Sequence, residues 1–278
     1  MKPIIKKYMV SRSILLLIAI CFFSCGVAKE ISTPISISNT HDINIAIDNV
    51  YLDNLDQLHI VDRKGTITRY TQDLKILYKY SDNTLGSIQH IDVNNPLKTL
   101  VYHRDYGIIS YLDNTLALIR KANLQDWGYN DVTTIASSND GNIWLYDPAK
   151  NQIIKINDTG KIKLSTNNLN DYRLEDLNPT KIIERNNKVF VYDQQYGIII
   201  FDNLGQYLKV LPIKDIKNFQ TDGKNIYIFQ NNSIKIYTIR LLEENTIPLE
   251  PKDGIKNVLI SPRSIYYIYA DGVDRKFR

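Results

Sequence analysis

Cys25 is the residue of this chain best placed to undergo chemistry. It follows Ser24 at the end of an unbroken apolar run, Ile14 to Phe23, and Lys2, Lys6, Lys7 and Arg12 precede that run. A basic segment, a short apolar segment and a small residue make up a secretory leader. A cysteine directly after the small residue is a thiol suited to lipid attachment. As a helix at ~1.5 Å per residue the run covers only about 15 Å. A bilayer core is ~30 Å thick, so the run reads as a signal and not as a span. Cys21 follows bulky Ile20 and makes a poor processing site.

Other chemistry-bearing residues do not form a recognisable set. The histidines are His41, His59, His90 and His103. On a strand His59 shares a face with Val61, whereas His103 follows Tyr102 and faces the other way, so these two are not expected to converge on one metal. No His-Glu-x-x-His, Gly-x-Ser-x-Gly or Walker-type glycine loop occurs. Asp62, Asp147 and Asp193 recur at the ends of similar segments, where aspartate caps tight turns by accepting backbone N–H bonds. Asp53-Asn54-Leu55-Asp56 and Ser138-Asn139-Asp140-Gly141-Asn142 are fragments of calcium loops without the full ligand spacing. A carboxylate pair that meets only in space stays open. Neither a metal nor a cofactor is expected.

Composition narrows the partners. The chain has 34 Lys+Arg against 30 Asp+Glu, and the four surplus cations all sit in residues 1–24, which hold no acid. The remainder is therefore balanced, 30 against 30, and nucleic acid is a poor partner. The two cysteines are Cys21 and Cys25; with the first removed and the second acylated, no disulfide framework or thiolate metal site is available.

Positioning these residues requires a scaffold, and the chain repeats one pattern. One copy runs Asn142-Ile143-Trp144-Leu145-Tyr146-Asp147, then Gln152 to Ile156, then Asn157-Asp158-Thr159-Gly160. Another runs Lys188-Val189-Phe190-Val191-Tyr192-Asp193, Gly197 to Phe201, then Asp202-Asn203-Leu204-Gly205. Weaker copies surround Val61, Tyr102, Phe229 and Tyr269. The six equivalent positions, with Tyr146 and Tyr192, are separated by 41, 44, 46, 37 and 40 residues. That is the period of a four-stranded propeller blade, roughly 40–50 residues. The segments are rich in Ile, Val, Tyr and Phe, with Asp-Gly and Asn-Asn turns between them. Helical periodicity is nearly absent; Arg240 to Asn245 is the best candidate.

The fold expected is all-β: a six-bladed β-propeller of four-stranded antiparallel blades, closed by an N-terminal strand. The last copy supplies three strands, so the spare segment Ile31 to Ser38 is expected to complete it. The fourth strand of the fifth copy is read at about Thr246 to Leu249. Five or seven blades, or two β-sandwiches in tandem, are alternatives. The domain reading is 1–24 signal peptide, 25–30 lipidated tether and 31–278 propeller.

These repeats resemble those of six-bladed propellers of the NHL and TolB-like kind, in which a strand ends in Asp and a turn follows the third strand. His103, Gln230 and Ala270 replace that Asp in three copies. Phe22-Phe23-Ser24-Cys25-Gly26 resembles the lipoprotein signals of Bacteroidota, as does the Ile/Asn/Lys/Tyr-rich composition. The resemblance implies acylation of Cys25, including palmitate, and attachment to the outer membrane. Few acids follow Cys25 in Gly26-Val27-Ala28-Lys29-Glu30, which favours a periplasm-facing position over the cell surface.

Two loops interrupt the repeat: Asn123 to Asp131, with Trp127 and Tyr129, and Asn167 to Asn178, with Tyr172 and Arg173. Trp, Tyr and Arg are enriched at interaction hot spots, so these four are the candidate binding residues. Burial between blades is the competing role. The functional expectation is a membrane-anchored, non-enzymatic binding or scaffold module with an envelope protein partner. The alternative is a propeller hydrolase or lyase acting on an extracytoplasmic glycan or lactone. A quinone-dependent dehydrogenase is disfavoured, because such repeats carry tryptophans and this chain has two.

Overall fold

A computed structural model describes residues 41–241 and 243–278. Cys25 and the segment Ile31 to Ser38 lie outside the described residues. Those described form 24 strands in six antiparallel sheets of four, which settles the blade count at six.

The first strand, β1 (Ile43–Asn44), stands apart. Blade 1 is β2 (Ile47–Leu52), β3 (Leu58–Asp62), β4 (Ile67–Tyr70) and β5 (Ile76–Tyr80). Blade 2 is β6 (His90–Asp92), β7 (Lys98–His103), β8 (Ile108–Asp113) and β9 (Leu118–Asn123). Blade 3 is β10 (Ile135–Ser137), β11 (Ile143–Asp147), β12 (Gln152–Ile156) and β13 (Ile162–Ser165). Blade 4 is β14 (Lys181–Arg185), β15 (Lys188–Asp193), β16 (Gly197–Asp202) and β17 (Tyr207–Leu211). Blade 5 is β18 (Gln220–Thr221), β19 (Asn225–Gln230), β20 (Ser233–Thr238) and β21 (Glu243–Pro248). Blade 6 is β22 (Asn257–Ile260), β23 (Ser264–Ile268) and β24 (Gly272–Phe277), with β1 as its fourth strand. The repeat positions Val61, Tyr102, Tyr146, Tyr192 and Phe229 all fall on the second strand of a blade, and Tyr269 directly follows one.

Closure by an N-terminal strand holds, but the residues differ from those expected. Ile43 pairs with Val273 and Asn44 with Gly272. Ile45 and Ile47 then donate backbone bonds to Asp271 and Ala270 at 3.0 and 2.9 Å. His41 stacks on Tyr269 with ring centroids 4.3 Å apart, and its Nδ1 lies 2.8 Å from Asp274 Oδ1. Blade 5 carries a second correction. The described residues of Arg240 to Asn245 are not helical; Glu243 to Asn245 open β21, which pairs with β20 from Thr238–Glu243 to Ser233–Pro248. Pro248 sits at the end of this outer strand, a place where a missing N–H costs little.

Successive strand residues point to opposite faces of a sheet. In a ring of sheets both faces are covered, which is why the middle strands read as continuous apolar runs. On β15, Val189 and Val191 pack against blade 3 while Phe190 and Tyr192 pack against blade 5. On β11, Ile143 and Leu145 face blade 2 and Trp144 and Tyr146 face blade 4. Each of the six interfaces has its own cluster, and each fully buried Val, Leu, Ile or Phe contributes about 1.5–3 kcal/mol. The strand-end aspartates cap turns as expected. Asp62 Oδ1 accepts from the amides of Lys64 and Thr66, both at 2.8 Å. Asp147 accepts from Ala149 at 3.1 Å and Asp193 from Gln195 at 2.7 Å.

Candidate functional site

The innermost strands β2, β6, β14, β18 and β22 surround an axial channel. Three connected spaces make it up. A waist of about 100 Å³ lies among Tyr51, His90, Asp92, Lys181 and Phe219. At the N-terminal ends of the inner strands it opens into a mouth of about 430 Å³. At their C-terminal ends, beside Asp53, Arg185 and Arg278, lies a second opening of about 390 Å³. The two mouths are within the range of small-ligand sites.

Strand β14 explains the polarity of this channel. Lys181, Ile183 and Arg185 alternate along it and line the waist, while the side chains of Ile182 and Glu184 are buried between the blades. Glu184 is 3% exposed and accepts from Ser138 Oγ at 2.6 Å and from Trp144 Nε1 at 2.5 Å. This ties blade 4 to blade 3 and holds the whole strand in register.

The Lys181 ammonium donates to Phe219 O at 2.8 Å and to Asn218 Oδ1, and it lies 5.0 Å from the Phe219 ring centroid. Both acceptors are neutral, and among the described residues no carboxylate reaches ion-pair distance. Burial pushes its pKa down to about 8, against a partial restoring pull from the Asp92 charge. His90 is driven down to about 3, first by burial and then by the Lys181 charge, so it is a neutral imidazole at neutral pH. Its ring meets Tyr51 edge-on with centroids 5.6 Å apart. The Tyr51 hydroxyl is raised well above its ordinary range, chiefly by burial.

Asp92 closes the floor of the waist. It is 4% exposed and accepts backbone bonds from Asn94 at 2.8 Å and Ser137 at 2.7 Å. Burial raises its pKa, with those bonds and the Arg185 charge pulling the other way. Arg63, Lys217 and Lys256 join Lys181 at the wide mouth, against the single acid Asp48. The mouth therefore presents four cations to one carboxylate, the rim cations in no ion pair among the described residues and the innermost one desolvated. Chemically it can receive an anionic group, and Lys181 with a depressed pKa can accept a proton.

The loop residues singled out from sequence lie elsewhere. Trp127 ends the short 3-10 turn Gln125–Trp127 and is half-buried against the blade 2–blade 3 cluster. Its ring covers Gly160 on the turn between β12 and β13, and Tyr129 Oη donates to Gly160 O at 2.9 Å. Tyr172, in the turn Leu169–Tyr172, stacks on Tyr207 of blade 4 at 4.4 Å and 18°. Arg173 follows in a left-handed conformation and is exposed. Trp127 and Tyr129 thus meet on one glycine, while Tyr172 and Arg173 belong to the next interface. In both loops the segment leaving one blade covers the last hairpin of the following blade.

Of the histidines, His59 is buried with Nε2 3.1 Å from Asp53 Oδ2. His103 is buried in blade 2 and His90 reaches the channel. Among the described residues no group of three or more His, Cys, Asp or Glu side chains is placed to hold a metal ion. The channel residues Lys181, Arg185, His90 and Asp92 were not singled out from sequence. Their signal was present: Lys181 and Arg185 sit on the same face of a strand that should be apolar on both.

No protein-family model matches the chain, and no curated protein matches it. Several solved structures share its fold. The extracellular domain of BT4673 from B. thetaiotaomicron, described as a hybrid two-component system, aligns with 16% identity and a TM-score of 0.53, over 82% of this chain and 33% of that one. PorZ, described as an essential surface component of the type-IX secretion system of Porphyromonas gingivalis, aligns with 13% identity and a TM-score of 0.52, over 83% and 31%. Virginiamycin B lyase from Staphylococcus aureus aligns with 13% identity and a TM-score of 0.52, over 82% and 78%. The chain spans about a third of the length of the first two. At these identities the likeness establishes the propeller and nothing finer.

Proposed function

We propose that this chain is a lipoprotein of the bacterial envelope whose propeller binds an acidic group, on a glycan or a protein loop, in the wide mouth of the axial channel. One observation carries the reading. Lys181 is an ammonium held by two neutral acceptors, facing a cavity of about 430 Å³ whose rim adds Arg63, Lys217 and Lys256. A desolvated cation without a carboxylate gains more from an incoming anion than an exposed lysine does. Anchoring would come from acylation of Cys25 at the outer membrane, on its periplasmic side. The partner is in the envelope, not nucleic acid. Arg173, exposed beside the Tyr172 latch, is a second contact for a protein partner on the outer wall.

Crosslinked capture from the organism's own membranes tests this, comparing the unaltered chain with Lys181→Met and Lys217→Gln. A stoichiometric partner, or a thermal shift with acidic but not neutral oligosaccharides, that is lost in both variants supports the reading. A protein that captures nothing and shows no shift overturns it. Radiolabelled palmitate should enter the unaltered chain but not Cys25→Ser; absence of label from both would remove the anchor.

One feature supports a second reading, a lyase acting on an acidic glycan. An amine titrating at about 8 within the same mouth could take the proton that elimination removes, with the substrate's own acidic group held by the rim cations. Ultraviolet absorbance from an unsaturated product, abolished by Lys181→Met, would favour it over simple binding.

A further inference from the structure

A second basic site lies on the side of the ring opposite the wide channel mouth, between blades 4 and 5. It is a groove of about 730 Å³ bounded by the hairpin turns on the side where the inner strands end. Lys188 starts β15, Lys209 lies on the outer strand β17, Lys224 follows the β18–β19 turn, and Arg240 follows β20. Four cations from four segments therefore converge on one concavity.

Their partners are backbone oxygens, not acids. Lys209 Nζ donates to Ile239 O at 2.6 Å, and Lys188 Nζ lies 3.4 Å from Gly223 O. Among the described residues no carboxylate stands within ion-pair distance of any of the four. Asp222, adjacent to the groove in sequence, is occupied elsewhere: it accepts from the amides of Lys224 and Asn225 and from Tyr227 Oη.

Apolar side chains accompany this charge. Leu241 lines the groove and is 60% exposed. The corresponding hairpin of blade 4 presents Leu204, 66% exposed. In blade 2 the equivalent hairpin leucine, Leu116, is buried. Leu204 and Leu241 are thus exposed on hairpin turns of blades 4 and 5, on the side that carries the four cations. A free inorganic anion would use the cations and leave the leucines in water. A bilayer surface with acidic headgroups uses both.

We propose that this rim of blades 4 and 5 docks onto a membrane surface, with Lys188, Lys209, Lys224 and Arg240 receiving an anionic lipid headgroup and Leu204 and Leu241 entering the headgroup–acyl boundary. The site uses no residue of the channel mouth, so it stands or falls separately from ligand binding there.

The test uses the full chain in neutral-detergent micelles doped with photoactivatable phosphatidylglycerol or, in parallel, phosphatidylcholine. Peptide mapping should find phosphatidylglycerol adducts concentrated on the turns carrying Lys188, Lys224 and Arg240–Leu241, with about tenfold less labelling by phosphatidylcholine. Lys224→Gln with Arg240→Gln, both at exposed positions, should lower the phosphatidylglycerol signal to the phosphatidylcholine level. Leu204→Ser with Leu241→Ser should weaken labelling by both lipids. Equal labelling by the two lipids, or adducts spread over all blades, would overturn the proposal. So would competition by inorganic phosphate at the concentration of the lipid, which would mark a free-anion site instead.

Discussion

Arg185 of blade 4 donates from Nη2 to Asn94 Oδ1 of blade 2 at 2.8 Å, passing over blade 3 altogether. The chord spans the position of the inner strand of blade 3, β10, whose Ser137 amide reaches Asp92. It braces the lower waist between non-adjacent blades. Arg185→Met should remove a charge-assisted bond and cost about 1.5–3 kcal/mol of stability, read as a lowered midpoint in urea. A similar loss from Asn94→Ala, with no further loss in the double variant, would confirm that the two act as one interaction.

Glu184 gives a sharper case, because one carboxylate serves two buried donors. Glu184→Ala leaves Ser138 Oγ and Trp144 Nε1 without their acceptor, at about 1–3 kcal/mol for each unsatisfied group. Near-ultraviolet circular dichroism of Trp144, which is fully buried, should change with it. Glu184→Gln retains one acceptor oxygen and should cost less.

Gly160 and Trp127 form a latch that can be tested by double substitution. Gly160 has φ +78°, and a Cβ there would overlap the Trp127 side chain. Gly160→Ala should cost about 2–4 kcal/mol, from the left-handed backbone and the overlap together. Adding Trp127→Ala should recover the steric part alone. If Trp127→Ala instead leaves thermal stability unchanged while abolishing capture of a partner, the residue is an interaction contact and not a latch.

The pH dependence of the channel follows from Lys181. Its folded pKa, about 8, lies below the ordinary 10.5, so between these values the unfolded chain holds more protons than the folded one. Stability from this group therefore rises as pH increases from about 8 to about 10.5, and the full penalty of the buried charge is present below 8. Anion binding runs the opposite way, falling as the ammonium deprotonates through about 8. Calorimetric titration of an acidic oligosaccharide across this range should show that midpoint. Lys181→Met should bind at least about tenfold more weakly and show no midpoint.

What the sequence made legible was the repeat, and the reason lies in how a ring of sheets buries its strands. Tyr146 and Tyr192 could be aligned because both faces of β11 and β15 are covered, which forces one apolar pattern on each blade. The turn aspartates were readable for the same cause, since Asp62, Asp147 and Asp193 satisfy local amides. Closure was inferred from a missing strand, but Ile43–Asn44 escaped notice because two residues carry no periodicity. The channel escaped for a different reason. Its lining draws a few residues from each of several strands far apart in the chain, and only their convergence makes Lys181 and His90 neighbours. Trp127 and Tyr172 drew attention by type, but whether a large aromatic faces solvent or a neighbouring blade depends on Gly160 and Tyr207, far along the chain.

Blade 6 imposes an order on the birth of this molecule. Val273 lies 230 positions after Ile43, so the ladder that seals the ring joins the first described strand to the last. Blades 1 to 5 can each form by local hairpins, and neighbouring blades can stack as they emerge. Until blade 6 is available, however, the apolar flank of blade 1 stays uncovered, with Ile47, Val50 and Ile60 awaiting Leu259 and Tyr266 of β22 and β23. The growing arc is an open-edged oligomer of hairpins, the kind of intermediate that associates with its own copies. Removal of β24, which holds both residues paired to β1, should therefore yield not a slightly weaker disk but an arc prone to join another arc, edge to edge.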